Sequence, residues 1–209
     1  VLEQLPRFDL ESFDYEIVDG EVTITDYFGD GLIVNVPPAI EGLPVTAIGD
    51  GAFDDGCLQQ VTLPAGLQRI GKYAFAYCYR LFDCELPNSV AYIGDFAFES
   101  CDCLKISSLP ACLTYIGAQA FASLPFLAGV TIPEALVYIG DGAFADCERL
   151  AAFAVNPDNA FYASSADGVL FNKDMTTLVA FPAGNNADYY RVPDGVVHIG
   201  PRAFYYCDL

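Results

Sequence analysis

"AYIGDFAFESC" occupies residues 91–101 and "VYIGDGAFADC" occupies residues 137–147. Both fit one frame, I-G-x-x-A-F-x-x-C, and the frame recurs along the chain. Ile-Gly stands at 48–49, 70–71, 93–94, 116–117, 139–140 and 199–200, at spacings of 22, 23, 23, 23 and 60 residues. Four residues after each glycine comes a phenylalanine preceded by alanine: Phe53, Phe75, Phe98, Phe121, Phe144 and Phe204. From the second unit on, a proline stands six residues before the isoleucine, at Pro64, Pro87, Pro110, Pro133 and Pro193. Three residues past the phenylalanine comes Cys78, Cys101, Cys147 or Cys207, with Leu124 once in their place. Self-similarity at this period marks an array in which each repeat is one structural turn.

The letters around the frame say how a turn is built. "LQQVTL", residues 58–63, ends with Val61 and Leu63 inward around an outward Thr62. That alternation predicts a short strand. Proline then stops it, because its nitrogen cannot donate to a ladder. Leucine and isoleucine three apart, as in "LQRI", point inward from a second, looser turn, and the glycine after the isoleucine is expected to permit a tight or a positive-φ corner. One unit cannot bury all these groups alone. Stacking units at roughly 4.8 Å gives each inward side chain a copy of itself above and below. The predicted fold is a β-rich repeat solenoid: a right-handed parallel coil with short strands, little long helix and a continuous apolar interior.

Composition fits such a coil. The apolar fraction is 54% over 209 residues, ample for a core. No run approaches 18 consecutive apolar residues, so no segment is read as inserting in a membrane. The 28 acidic residues outnumber nine basic ones, for a net charge of −19. That surface repels phosphate backbones and anionic headgroups, which argues against nucleic acid or lipid as partner. The chain begins at Val1 and its one methionine is Met175. This is the pattern of a removed leader or of a piece of a longer chain.

The array is read as a single solenoid over residues 1–209. An N-terminal cap with a first degenerate unit spans 1–45, and regular repeats span 46–155. An inserted hairpin spans 156–190, and a last, truncated repeat spans 191–209. Asp19-Gly20 between two alternating runs is a two-residue hairpin signal. In the long gap, "GVLF" and "TLVAFP" flank the polar turn "NKDMT" and read as a second hairpin packed on the array's edge. The ending "AFYYCDL" completes a repeat without the strand that would follow, so Leu209 is not expected to be a natural domain end.

The unit L-x-x-V-x-L-P-x-x-L-x-x-I-G-x-x-A-F-x-x-C resembles the bacterial leucine-rich repeat of the BspA-like, or treponemal, type. The likeness covers nearly the whole chain, including "FDYEIVDGEVTITDYFG" at the start. It implies a secreted or cell-surface bacterial protein, and in some members adhesion to host matrix proteins or other bacteria. The expected function is a non-catalytic recognition or adhesion module, monomeric in solution, for an extracellular protein or carbohydrate. The alternative is a structural spacer presenting another module of a longer secreted protein.

Chemistry-bearing residues are few. His198, the sole histidine, shares its repeat address with Arg69, Tyr92, Tyr115 and Tyr138, which makes it a surface ladder member rather than a general base. No phosphate loop, serine elbow or nucleotide fingerprint occurs, and no enzyme or cofactor is expected. Cys101-Asp102-Cys103 lacks a second ligand pair at zinc spacing. "DYFGDG" and "NPDN" lack full calcium-loop spacing. Cys78, Cys101 and Cys147 are expected to be buried thiols, with Cys84 also in the core, and Cys103 and Cys112 to lie on turns as the exposed thiols. Tyr92, Tyr115 and Tyr138, at intervals of 23, should line up on one face of the coil, either stacking between repeats or forming an aromatic strip that holds a glycan or peptide. Phe82 and Ile106 fall at outward strand positions where water is expected. These five are the candidate binding residues.

Overall fold

The computed structural model describes residues 10–54, 56–106 and 108–207. The expectation about Leu209 lies outside the described residues. The strands are β1 Phe13–Val18, β2 Glu21–Tyr27, β3 Ile33–Asn35, β4 Ala39–Ile40, β5 Leu43–Ile48, β6 Gln60–Thr62, β7 Arg69–Ile70 and β8 Tyr92–Ile93. They continue with β9 Tyr115–Ile116, β10 Gly129–Ile132, β11 Tyr138–Ile139, β12 Ala152–Val155, β13 Tyr162–Ser164, β14 Leu170–Asn172, β15 Thr177–Ala180 and β16 His198–Ile199. The one helical element among the described residues is a 3-10 turn at Leu10–Ser12. The chain is a parallel β-solenoid capped by the β1–β2 hairpin. Val18 opposes Glu21 across Asp19 (φ 53°) and Gly20 (φ 82°), the left-handed pair that suits the strand twist.

The repeat's isoleucines form the main ladder. It runs β1-β2-β5-β7-β8-β9-β11, with parallel register Ile48↔Ile70↔Ile93↔Ile116↔Ile139. The phenylalanine column runs beside it. Phe53, Phe75, Phe98, Phe121 and Phe144 stack at 5.0, 5.2, 5.6 and 5.5 Å between centroids, with rings parallel within 9°. Such offset stacking adds to area burial. The cysteines belong to the same core. Cys78, Cys101 and Cys147 donate S–H to the carbonyls of Phe53, Phe75 and Phe121 one turn earlier, at 3.0, 3.1 and 3.2 Å. Burial pushes the Cys147 thiol up to about 12 and raises Cys84 and Cys101 as well.

Of the two roles expected of the repeat glycines, the structure shows the tight one and not the positive-φ one. None of the six Ile-Gly glycines has positive φ. They are there for close approach. A Cβ on Gly94 would lie 2.7 Å from the carbonyl carbon of Gly71, and one on Gly117 would lie 2.3 Å from the Asp95 nitrogen. The left-handed corner falls two residues later, at Gly51, Tyr73, Phe96, Gln119, Gly142 and Arg202, with φ between 52° and 69°. A second such corner occupies Tyr77, Ser100, Ser123, Asp146 and Tyr206. At non-glycine residues each corner costs about 1–2 kcal/mol, and the interlocked turns on either side hold it.

The strand ladder is broken where the sequence had predicted it continuous. β3 pairs with β6 and β10 with β12, but between them, among the described residues, a single bridge joins Gln60 to Asp83. The inward address of Val61, Val130 and Phe153 holds Cys84 in the third unit and Ser107 in the fourth. Ser107 is not among the described residues. A serine supplies no apolar group, and the preceding Ile106 packs half-buried against the core. This corrects its assignment as a water-facing residue, while Ser108 after it stays exposed, as Thr62 is at the same repeat address.

The long gap is a hairpin and also a turn of the coil. β14 and β15 pair antiparallel around residues 172–176, and β13 adds to β14. β15 then pairs in parallel with β16, Leu178↔Ile199, and Phe181 stacks on Phe204 at 5.2 Å. Leu178 and Phe181 therefore stand where a repeat's isoleucine and phenylalanine would, so the segment is not only an edge decoration. Its side chains form a second, smaller core around Val169, Phe171, Leu178, Phe181 and Ala203.

Candidate recognition surface

Two surfaces carry the candidate binding residues. The first is the tyrosine column, fixed by the isoleucine ladder because each tyrosine immediately precedes a ladder isoleucine. Tyr92 and Tyr115 stack at 4.7 Å and 9°, and Tyr115 and Tyr138 at 4.7 Å and 15°. Arg69 caps the stack, its guanidinium 4.1 Å from the Tyr92 centroid. The rings face one another along the coil, so their faces are used up internally. Edges and hydroxyls are what the column offers to solvent, with Tyr138 the most open. Burial, with Tyr92, Asp95 and Tyr138 nearby, raises the Tyr115 hydroxyl. At the far end the Ile139 N–H donates to the Tyr162 hydroxyl at 2.8 Å, which closes the ladder.

The second surface lies over the broken strand ladder and holds Phe82 and Ile106 together. Phe82 stays 49% exposed. A groove of about 540 Å³ runs beside Gln60, Thr62, Asp83, Glu85, Asn88 and Ser89. A second groove of about 420 Å³ continues it past Phe82, Glu85, Leu86, Lys105, Ile106 and Ser108. Asp83, Glu85 and Leu86 belong to both. The Asp83 carboxylate accepts from the Gln60 side-chain amide at 2.7 Å, which fixes its position on the groove wall. A small cavity of about 60 Å³, between Ile106, Leu127 and Val130, reaches inward to Phe121 and Phe144. The two larger hollows lie over the third unit, where Cys84 takes the inward address that valine or phenylalanine holds elsewhere. The groove walls at Asp83, Glu85, Asn88 and Ser89 were not singled out from sequence, although Cys84 and Ser107 in a valine column were the available signal.

The remaining candidates take structural places. His198 is exposed at the start of β16, its N–H bonded to the Thr176 carbonyl at 3.1 Å. In "NPDN" the amides are spent on backbone. Buried Asn159 donates to the carbonyls of Pro133, Glu134 and Leu136 and accepts from the N–H groups of Phe161 and Tyr162. This latch seats the inserted segment on the regular coil. Cys57 and Cys112 are the exposed thiols, and Cys103 is half-buried.

Comparison with known proteins gives the same picture of the fold. The sequence model described as BspA type Leucine rich repeat region matches in six copies, over residues 46–166 and 130–209. The crystal structure of a Treponema pallidum leucine-rich-repeat protein superposes with TM-score 0.67 at 28% identity, covering 95% of this chain and 82% of that one. A leucine-rich-repeat protein from Eubacterium ventriosum gives TM-score 0.72 at 25% identity, over 90% of this chain and 53% of the other. A leucine rich cell surface protein from Faecalibacterium prausnitzii shares the fold at TM-score 0.57 and 22% identity, covering 99% of this chain and 69% of that one. No curated protein matches the chain.

Proposed function

The chain belongs to the BspA-type leucine-rich-repeat family, and from that premise we propose that it is a non-catalytic recognition or adhesion module. It acts in a secreted or surface-displayed bacterial protein and binds an extracellular protein or glycan. The observation that carries this reading is the pair of continuous grooves over the strand gap, with Phe82 exposed at their junction on an otherwise stacked coil. A rigid coil presents such a hollow without an ordering cost on binding. An exposed aromatic beside a groove is the kind of anchor on which binding energy concentrates. The tyrosine column serves the same coil as an internal stack and adds a ladder of hydroxyls along one edge.

The test is a binding screen of this chain against matrix proteins, mucins and glycans, followed by Phe82→Ala and Tyr115→Phe. Phe82→Ala is expected to weaken capture by about tenfold, near 1.4 kcal/mol, and Tyr115→Phe to leave it unchanged. Failure to capture any partner favours the spacer reading. Loss with Tyr115→Phe alone moves the site to the tyrosine edge.

A further inference from the structure

One feature beside the grooves points to the chemistry of the partner. Arg80, Lys105 and Arg149 are exposed and flank the repeat's first leucine in the third, fourth and sixth units. The chain carries 28 acidic residues, yet the one ion pair among the described residues joins Arg191 and Asp194. Glu148 adjoins Arg149 in sequence and Asp102 lies near Lys105, but neither pairs with them. The two cations instead bracket an aromatic ring. Lys105 Nζ lies 5.8 Å from the Phe126 centroid and Arg149 Cζ lies 5.0 Å from it. Phe126 belongs to the turn between theirs and is 41% exposed.

This arrangement has a definite polarity. A ring's faces are negative and its edge positive. The cations occupy the negative faces, so the ridge presents positive charge and apolar edge outward. Arg149 is also held from below: the Gly184 N–H donates to the Leu150 carbonyl at 2.9 Å, and a Cβ on Gly184 would meet the Arg149 carbonyl carbon at 2.6 Å. The ridge adjoins the 420 Å³ groove, which Lys105 helps to line along with Phe82, Leu86 and Ile106. Asp83 and Glu85 stand in that groove one turn before Lys105. The surface thus alternates positive ridge, apolar hollow and negative wall within a few turns.

We propose that Lys105, Phe126 and Arg149 form the contact site for an extended acidic peptide segment. Its carboxylates meet the two cations, and an apolar side chain enters the hollow beside Phe82 and Ile106. The inference rests on the recognition reading above and names its partner. Charge complementarity selects the peptide. A sulfated or uronate glycan carries anionic groups along its whole length and would lie against Asp83 and Glu85, in the field of a chain of net charge −19. An extended peptide alternates its side chains, so it can set carboxylates at the ridge and apolar groups in the hollow. At physiological salt the screening length is about 8 Å, short enough for local cations to act despite the net charge.

The test uses the 209-residue chain and three probes: a short fluorescent peptide alternating glutamate with valine, the same peptide with glutamine for glutamate, and a chondroitin sulfate oligosaccharide. The glutamate peptide is expected to bind, the glutamine peptide at least about tenfold more weakly, and the K105Q/R149Q double variant to lose about tenfold for the glutamate peptide alone. Raising the salt should weaken the glutamate peptide's binding, and Arg191→Gln should not affect it. Equal binding of the two peptides overturns the proposal, as does an unaffected double variant or preference for the sulfated oligosaccharide. If the screened matrix protein or mucin binds the double variant as well as the parent, the recognition reading stands and this site assignment falls.

Discussion

Ile116 and Ile199 hold the same place in the repeat but sit in opposite surroundings. Ile116 is fully buried, with Ile93 paired on one side and Ile139 on the other. Ile199 is 55% exposed and pairs only with Leu178 among the described strands. Phe121 and Phe204 differ in the same way, one stacked on both faces and the other on one face by Phe181. A repeat letter becomes a core residue only when a turn lies on each side of it. The energy of a solenoid resides in the interfaces between turns, so it is highest in the middle of the regular run and lowest at the last turn.

The sharpest test of that difference is Phe121→Ala against Phe204→Ala. The first is expected to cost about 3–5 kcal/mol, as for a fully buried phenylalanine, and the second well under half as much. Tyr115→Ala, which removes a half-buried ring from two stacked pairs, should cost about 1–3 kcal/mol. Equal losses for the two phenylalanines in denaturant titrations would break the comparison. Asn159→Ala comes next. It orphans backbone groups at the junction of coil and insert, and is expected to cost about 2–4 kcal/mol. Hydrogen exchange should localise the loosening to residues 156–190 and leave the isoleucine ladder before Ile139 protected. Uniform loosening would mean that insert and coil unfold as one.

Smaller effects separate the two roles that glycine could have had. Gly117→Ala forces a Cβ onto the previous turn and should cost about 1–3 kcal/mol. Gln119→Gly, at the true left-handed corner, should be neutral or stabilising by about 0.5 kcal/mol. The reverse ranking in thermal melts would restore the corner to the Ile-Gly glycine. The thiols act on stability only at alkaline pH and leave it unchanged near neutrality. Burial lifts Cys147 from 9.0 to about 12. The folded state therefore holds its proton more tightly than the unfolded state, and the stability it adds is complete below pH 9 and lost as pH climbs toward 12. In maleimide labelling at pH 8, Cys57 and Cys112 should react quickly and Cys147 only through opening. Equal rates would place Cys147 at the surface.

Much of this was legible in the sequence because the repeat states each inward address several times. Six isoleucines and six phenylalanines at fixed offsets leave no other way to share one interior, and the hairpins at Asp19-Gly20 and residues 172–176 announce themselves by turn chemistry. The candidate surface was only half legible. Phe82 was visible as an apolar residue at an outward address, but the groove beside it is lined from two neighbouring turns, by Cys84 and Leu86 of its own and Lys105 and Ile106 of the next. Tyr92, Tyr115 and Tyr138 were visible as a column open to stacking or to a ligand, and the 4.7 Å spacing of the rings shows the stacking.

The sequence by itself determined the coil, its period, its core letters and the family, since periodic burial is a pattern of residue types along one dimension. Tertiary structure decided where the left-handed corners fall, how the insert becomes a turn, and that Lys105 and Arg149 meet across Phe126. These depend on contacts between residues about one repeat or more apart. Which atoms face each other across turns is set by backbone approach distances and ring orientation, and neither exists until the turns have stacked.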